Sequence, residues 1–358
     1  MNDQNVYKKT SFGQDQGVSG VTIEQDGLGR VLKTLRISLT DRCNFRCTYC
    51  MPHEIFGPDY AFMPQKSMLS FDEIIRLAGI FATMGVTTIR LTGGEPLLRT
   101  KIEVLIQRLA EIKGINDIAL TTNGSLLSKA KAQALADAGL NRITISLDAL
   151  DDATFKGING VNFPVANVLS AIANADEAGF SPIKINMVVK RGTNEQWVLP
   201  MAEYFRGTGH VVRFIEYMDV GTSNKWAIGD VVTAEEIVNR IGERFPLQLI
   251  ESQTTDMVAT RYRYVDGSGE IGVIASVTKP FCAGCSRLRL TADGQIYTCL
   301  FASHGHDIRT YLRKGATDQE LTAMLAGIWH VRTDRYSETR LESHARQQDR
   351  AEMSRLGG

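Results

Sequence analysis

The sequence predicts an α/β fold of six strand–helix units followed by a smaller α+β module. Three observations predict it. Between residue 31 and about residue 217, helical stretches end at a glycine and an apolar strand follows within a few residues. These strands are near-continuous runs rich in Ile and Val, the pattern of a parallel sheet buried on both faces. After about residue 245 the rhythm changes to short, turn-linked strands.

The first strand is the run from Val31 to Leu39. Gly85 then leads into VTTIRL, Gly114 into INDIAL, Gly139 into LNRITISL, Gly179 into FSPIKINMVV and Gly207 into TGHVVRFIEY. Glycine past a helix end takes the left-handed cap conformation without steric cost. Ser70 with Glu73 and Thr233 with Glu236 read as capping boxes that open two of the helices. Right-handed crossovers wind such units into an open sheet or a barrel, and periodicity alone leaves both open. In either fold, ligands gather at the carboxyl ends of the strands. The polar motifs fall there: DRCNFRCTYC after strand one, GGEP after strand two, TTNG after strand three and SLDA after strand four.

Further on, RYRYV, GEIGVIASVT and RLRLTADGQIYTCL read as short antiparallel strands with a turn at Asp293–Gly294. A helix is expected around Asp318–Ile328. The expected organisation is a flexible leader (1–30), the repeating unit (31–244), a smaller module at its mouth (245–340) and a polar tail (341–358) ending in Gly357-Gly358.

Composition narrows the classes. The 358 residues carry 40 basic against 40 acidic side chains, so no nucleic-acid surface is indicated and any anion site must come from local clustering. No apolar run approaches the roughly 20 residues of a membrane span, and the N-terminal residues lack the apolar segment of a secretory signal. The six cysteines fall as three and three, which suits metal ligation in a reducing, cytoplasmic setting.

Cys43, Cys47 and Cys50 are spaced C-x-x-x-C-x-x-C. Three thiolates hold a cubane of four irons and leave one iron without a protein ligand, whereas electron-transfer clusters and structural zinc want four ligands. The alternatives are three buried thiols, or a zinc knuckle borrowing His53. The second triplet is Cys282, Cys285 and Cys299, with a second open cluster set against a zinc ribbon completed by His304 or His306. Loop histidines such as these two are more commonly solvated. In GGEP, Gly93 and Gly94 let the backbone approach a ligand closely.

The first spacing resembles the radical S-adenosylmethionine superfamily. The order of that triplet, TGGEP, TTNG, SLD, FIEYMDVG and FCAGCSRLRLTADGQIYTCL resembles its molybdenum-cofactor branch, the GTP-cyclising family, from about residue 30 to the last residue. The resemblance implies an open six-unit (β/α) partial barrel whose C-terminal module carries a second 4Fe–4S cluster. It implies that the first cluster binds and cleaves S-adenosylmethionine, that a radical takes hydrogen from C3′ of GTP, and that C3′ then bonds to C8. By the same resemblance, Tyr49, Gly94, Ser146 and Met218 contact S-adenosylmethionine, and Arg36, Arg90, Thr121, Lys184, Arg287 and Arg289 contact GTP. Arg213 joins the GTP set because it occupies an equivalent place in strand six, and charges within strands are unusual unless they face a polar cavity.

The implied partners are GTP, an external electron donor and a downstream enzyme forming the cyclic pyranopterin; a homodimer is compatible, and neither nucleic acid nor membrane is implied. By the resemblance, Gly357 and Gly358 are expected to reach the active site; the run from Ser343 to Arg355 is too polar for core, and base rates alone favour a frayed terminus. The segment from Trp329 to Ser337 reads as packing. Two rivals remain: a radical enzyme modifying a peptide, which would need a polypeptide groove, and a non-enzymatic zinc protein.

Overall fold

The computed structural model describes residues 22–251, 256–340 and 350–357. Strand β1 (Thr34–Ser38) leads through a long cysteine-bearing loop to α1 (Phe71–Thr83), followed by β2 (Thr88–Thr92) and α2 (Ile102–Ala110). The alternation continues with β3 (Asp117–Thr122), α3 (Lys129–Asp137) and β4 (Arg142–Ser146), and then two helices, α4 (Asp152–Asn159) and α5 (Val165–Glu177). Strand β5 (Lys184–Val189), α6 (Val198–Phe205), β6 (Val211–Glu216) and α7 (Ala234–Gly242) complete the six units. Neighbouring strands from β1 to β6 pair in parallel.

The expected helix stops and starts are present. Gly85, Gly114, Gly139, Gly179 and Gly207 all have positive φ. Ser70–Glu73 and Thr233–Glu236 form complete capping boxes. The strands themselves depart from the uniform apolar pattern. In β5, Ile185, Met187 and Val189 are buried toward the helices, whereas Lys184, Asn186 and Val188 alternate with them and are only partly buried. One face of the sheet packs on helices and the other lines a polar cavity, so period two wins over the expected double burial.

The C-terminal strands do not make a sheet of their own. Strands β7 (Leu247–Ile250), β8 (Thr260–Tyr264) and β9 (Glu270–Ile274) join one edge, with β9 parallel to β6. Strands β10 (Arg287–Leu290), β11 (Gln295–Tyr297) and β12 (His306–Asp307) join the other, with β10 parallel to β1. The expected antiparallel hairpins exist within each set, and Gly294 (φ +76°) makes the β10–β11 turn. All twelve strands form a single sheet. Among the described residues four helices follow: α8 (Arg309–Arg313), α9 (Asp318–His330), α10 (Tyr336–Thr339) and α11 (Met353–Leu356).

Of the expected leader (1–30), only residues 22–30 are described. Residues 1–21 lie outside the described residues, but Glu24, Asp26 and Arg30 are buried and Gln25 bridges Val31. No described helix is long and apolar enough to cross a membrane.

Candidate active site

All six cysteines, from two distant parts of the chain, border one cavity at the carboxyl ends of the strands. Arg46 shapes the first loop: its guanidinium donates to the carbonyls of Cys43, Phe45 and Phe56 at 2.7–2.8 Å. The Arg46 and Thr48 amides dock onto the carbonyls of Asn159 and Ile158 at the end of α4. Gly160 (φ +65°) caps that helix where any Cβ would overlap the Arg46 carbonyl.

The glycines of GGEP serve this same loop. A Cβ at Gly93 would overlap the Thr40 carbonyl, and one at Gly94 the Arg42 carbonyl. The close approach expected toward a ligand is thus also an approach of backbone to backbone. Buried Glu95 ties the arrangement to β3: it accepts from the amides of Leu97 and Asn123 at 3.0 and 2.8 Å and from the Thr122 hydroxyl. Burial pushes its carboxyl up to about 7, against those three donors.

The three thiols of this loop form no disulfide, and burial raises their proton affinity. Cys43 is pushed up to about 11, and Cys47 and Cys50 also rise, with the neighbouring cysteines adding to the effect. Three thiolates so close and so shielded from water need cationic metal to be stable, which fits a ligand set for an iron–sulfur cluster. The fourth ligand considered for zinc is engaged elsewhere, since His53 Nε2 lies 2.7 Å from the Gly160 carbonyl.

Tyr49, Gly94, Ser146 and Met218, the expected cofactor contacts, all line the cavity. The Tyr49 hydroxyl donates to Asp148 at 2.8 Å, and burial raises the Asp148 carboxyl to about 6. Asp148 was not anticipated, although it lies within the SLDA motif.

The cavity floor is cationic. Arg36, Arg90 and Arg289 are directly in register on β1, β2 and β10, so all three share one face. Arg287 and Arg213 join them in lining the cavity, as does Thr121. Their hydrogen-bond partners are neutral: Arg90 donates to Thr121 at 3.0 Å, Arg213 to Asn186 at 2.9 Å and Arg289 to the Gly357 carbonyl at 2.8 Å. Arg287 Nη2 lies 3.2 Å from Cys285 Sγ. Burial and mutual repulsion depress the proton affinity of Arg36 well below its ordinary value, with Arg289 the foremost charged neighbour. Arg90 and Arg213 fall to about 10 and about 9, again from burial first. Arginine does not deprotonate in proteins, so these shifts measure the cost of holding the charges together. Arg36 Nε is buried with no hydrogen-bond partner.

Lys184 departs from expectation. It sits at the start of β5, paired with Thr144, one inward-facing position before Asn186, and is not among the cavity-lining residues. It still feels the cationic group, since burial and then Arg213 lower it to about 8.

The second triplet lies beside this floor. Burial alone would raise Cys285, but Arg287 and Arg332 bring it down to about 6, whereas burial lifts Cys299 to about 11. The free thiols of Cys282, Cys285 and Cys299 are a three-ligand set like the first. His304 and His306 are exposed, and His306 pairs with Ile296 in the sheet. The Trp329–Ser337 segment does more than pack: Arg332, Asp334 and Ser337 line the cavity.

The segment 350–357 reaches the same place. Arg350 donates to Asp219 at 2.9 Å, and Glu352 accepts from Thr222 and Ser223 at 2.7–3.0 Å. Met353 lines the cavity, and Leu356 and Ala351 are buried near Tyr297. Of the Ser343–Arg355 run, expected to be too polar for core, Ala351 is buried, and Leu356 follows just beyond it. Gly357 (φ +70°) touches β2, where a Cβ would overlap the Thr92 methyl. Gly358 lies outside the described residues.

A mixed, mostly parallel α/β sheet with a three-cysteine loop at its first carboxyl end defines a radical S-adenosylmethionine protein, and residues 37–205 match the Radical SAM superfamily. Residues 210–338 match the Molybdenum Cofactor Synthesis C family. The chain belongs to the GTP 3′,8-cyclase family. It is 51% identical to the GTP 3′,8-cyclase of Acidothermus cellulolyticus over 91% of each chain. It is 50% identical to that of Xanthomonas campestris pv. campestris over 93% of this chain and 97% of the relative. The Staphylococcus aureus GTP 3′,8-cyclase is 44% identical over 93% and 98%. Among solved structures, Streptococcus suis SuiB bound to S-adenosylmethionine has a similar fold, with a TM-score of 0.56 at 16% identity over 88% of this chain and 69% of that one.

Proposed function

We propose that this enzyme cyclises GTP to (8S)-3′,8-cyclo-7,8-dihydroguanosine 5′-triphosphate, an early step of molybdenum cofactor biosynthesis, with S-adenosylmethionine and two 4Fe–4S clusters. The observation that carries the reading is the single cavity bordered by both cysteine triplets and floored by five arginines, of which Arg90, Arg213 and Arg289 donate to neutral partners. Such a floor requires a polyanion, and arginine suits phosphate because its planar fork makes paired, charge-assisted hydrogen bonds.

Cys43, Cys47 and Cys50 would hold the cluster nearer S-adenosylmethionine, and Cys282, Cys285 and Cys299 the one nearer GTP. When bound, the first cluster supplies the electron that cleaves the cofactor. The protein's own residues position and shield. Tyr49, Gly94, Ser146 and Met218 flank the cofactor, while Arg36, Arg90, Thr121, Arg213, Arg287 and Arg289 hold the nucleotide, with Lys184 supporting from below. Gly357 closes the site, keeping C3′ and C8 of GTP together and water out.

The sheet is read as an open six-unit partial barrel, because residues of β1 through β6 and of β9 and β10 all contribute to one cavity. The segment 245–340 then acts as a cluster-bearing module grafted on both barrel edges, with the repeating unit (31–244) before it and the tail (341–358) after it. A cytoplasmic location, a one-electron donor and a downstream enzyme consuming the cyclised nucleotide follow from the same reading. Modification of a peptide is less favoured, because buried arginines aimed at a common centre suit a compact polyanion better than an extended chain.

Guanosine should be a far poorer substrate than GTP. Arg90→Ala should raise the GTP concentration needed for half-maximal rate, each lost charge-assisted contact costing roughly 1.5–3 kcal/mol. Steady-state kinetics on both substrates test this, and equal turnover of guanosine would remove the phosphate argument. Cys285→Ser should weaken GTP binding more than S-adenosylmethionine binding in equilibrium titrations; the opposite order would exchange the roles of the two triplets.

A further inference from the structure

The segment before β1 makes a tight turn, Asp26-Gly-Leu-Gly-Arg30, that no cysteine motif includes. Asp26 is buried, with its side chain fully shielded from solvent. One carboxylate oxygen accepts from the amides of Leu28 and Arg30 at 3.0 and 2.9 Å. The other accepts from two guanidiniums: Arg30 Nε at 2.7 Å and Arg332 Nη1 at 2.9 Å. Both arginines reach onward to the second triplet. Arg30 Nη1 donates to the Cys282 carbonyl at 2.9 Å. Arg332 donates to the Cys285 carbonyl at 2.8 Å and to the carbonyl of Thr298, next to Cys299, at 3.0 Å. A single buried carboxylate therefore orients two arginines that grip the backbone at or beside all three cysteines.

We propose that Asp26 is a positioning residue for the second cluster: it presets the spacing of Cys282, Cys285 and Cys299 through Arg30 and Arg332. The inference rests on reading that triplet as a cluster site. Its physical basis is that a guanidinium offers several donors in a fixed fork, so anchoring one edge on a carboxylate aims the remaining donors. The three cysteines come from two separate loops, and Arg332 reaches both of them. Partners beyond the direct ligands commonly govern metal affinity in this way. Arg332 also borders the cavity and sits over Trp329, its guanidinium carbon 4.6 Å from the ring centroid, which fixes the fork further. The local charge matters as well, because the carboxylate offsets two buried cations, one of which, Arg332, repels Arg289.

Asp26→Asn separates this role from turn formation. The amide oxygen can still accept from Leu28 and Arg30, but the amide nitrogen faces guanidinium donors and cannot hold them. The test is anaerobic reconstitution followed by iron analysis, paramagnetic resonance of the reduced protein, GTP titration and 5′-deoxyadenosine formation. Wild-type protein should carry about eight irons per chain and the variant nearer four. The lost resonance should be the GTP-sensitive one, GTP affinity should fall about tenfold or more, and cofactor cleavage should persist. Arg332→Lys keeps the charge beside Cys285 but not the fork, and should show the same selective change in the GTP-sensitive resonance and in GTP affinity. It decides the matter alone if Asp26→Asn does not fold. Wild-type iron content, resonance and GTP affinity in the variants would overturn the assignment. So would equal loss of both clusters, which marks a general folding role. Wild-type protein with only about four irons would instead overturn the two-cluster reading itself.

Discussion

Replacing Cys47 with serine is expected to abolish 5′-deoxyadenosine formation while leaving GTP binding in place. Cys47 is surrounded by Cys43, Cys50 and Asp148, and burial with these neighbours raises its thiol far above the ordinary range. A thiolate is stable there only when bound to metal, and a serine hydroxyl at that position cannot replace it as an iron ligand. With two thiolates left, the open iron that would bind the cofactor is no longer held. The second triplet and, apart from Arg36 on β1, the arginine floor belong to other segments of the chain, so the nucleotide end should survive. Chromatography of reactions with dithionite reads the first effect and equilibrium dialysis with GTP the second. Normal cofactor cleavage in this variant would contradict the assignment of the first loop.

Giving Gly357 a side chain should be nearly as damaging, by a different route. Its φ of +70° disfavours an L side chain, by about 1–2 kcal/mol for the left-handed region, and the added methyl would overlap buried Thr92. The end of the segment must then leave β2, and Arg289 loses the carbonyl that it now donates to at 2.8 Å. Upstream, Arg350 on Asp219 and Glu352 on Thr222 and Ser223 should keep the rest of the segment attached. Gly357→Ala should therefore suppress cyclisation by orders of magnitude while iron content and GTP affinity stay near wild type. Cyclisation at the full rate would show that this contact is dispensable.

What the sequence made legible was local. Glycine caps, capping boxes, the D-G turn and the cysteine spacings depend on residues a few positions apart, and each is found where it was read. The in-register arginines were visible as charges misplaced in apolar strands. Long-range matters were not legible. Nothing near Glu270 or Arg287 says that their strands extend opposite edges of one sheet, because that choice lies in pairing with β6 and β1. Lys184 looked equivalent to Arg213, yet its place in the register puts it below the cavity lining. Arg332 looked like part of a packing motif because its partners, Asp26 and Cys285, are far away in sequence. Ala351 within the polar run and Leu356 just after it are too few to mark a buried segment in sequence, and their packing on Tyr297 explains them.

The central claim is that one cavity joins cofactor cleavage to GTP cyclisation. The most direct test incubates reconstituted protein with GTP, S-adenosylmethionine and dithionite, and follows 5′-deoxyadenosine and the nucleotide together by mass spectrometry, using GTP deuterated at C3′. The account predicts deuterium in 5′-deoxyadenosine and a GTP-derived product carrying a C3′–C8 bond, formed in step with each other. Cofactor cleavage with no transfer from C3′, and GTP recovered unchanged, would contradict it.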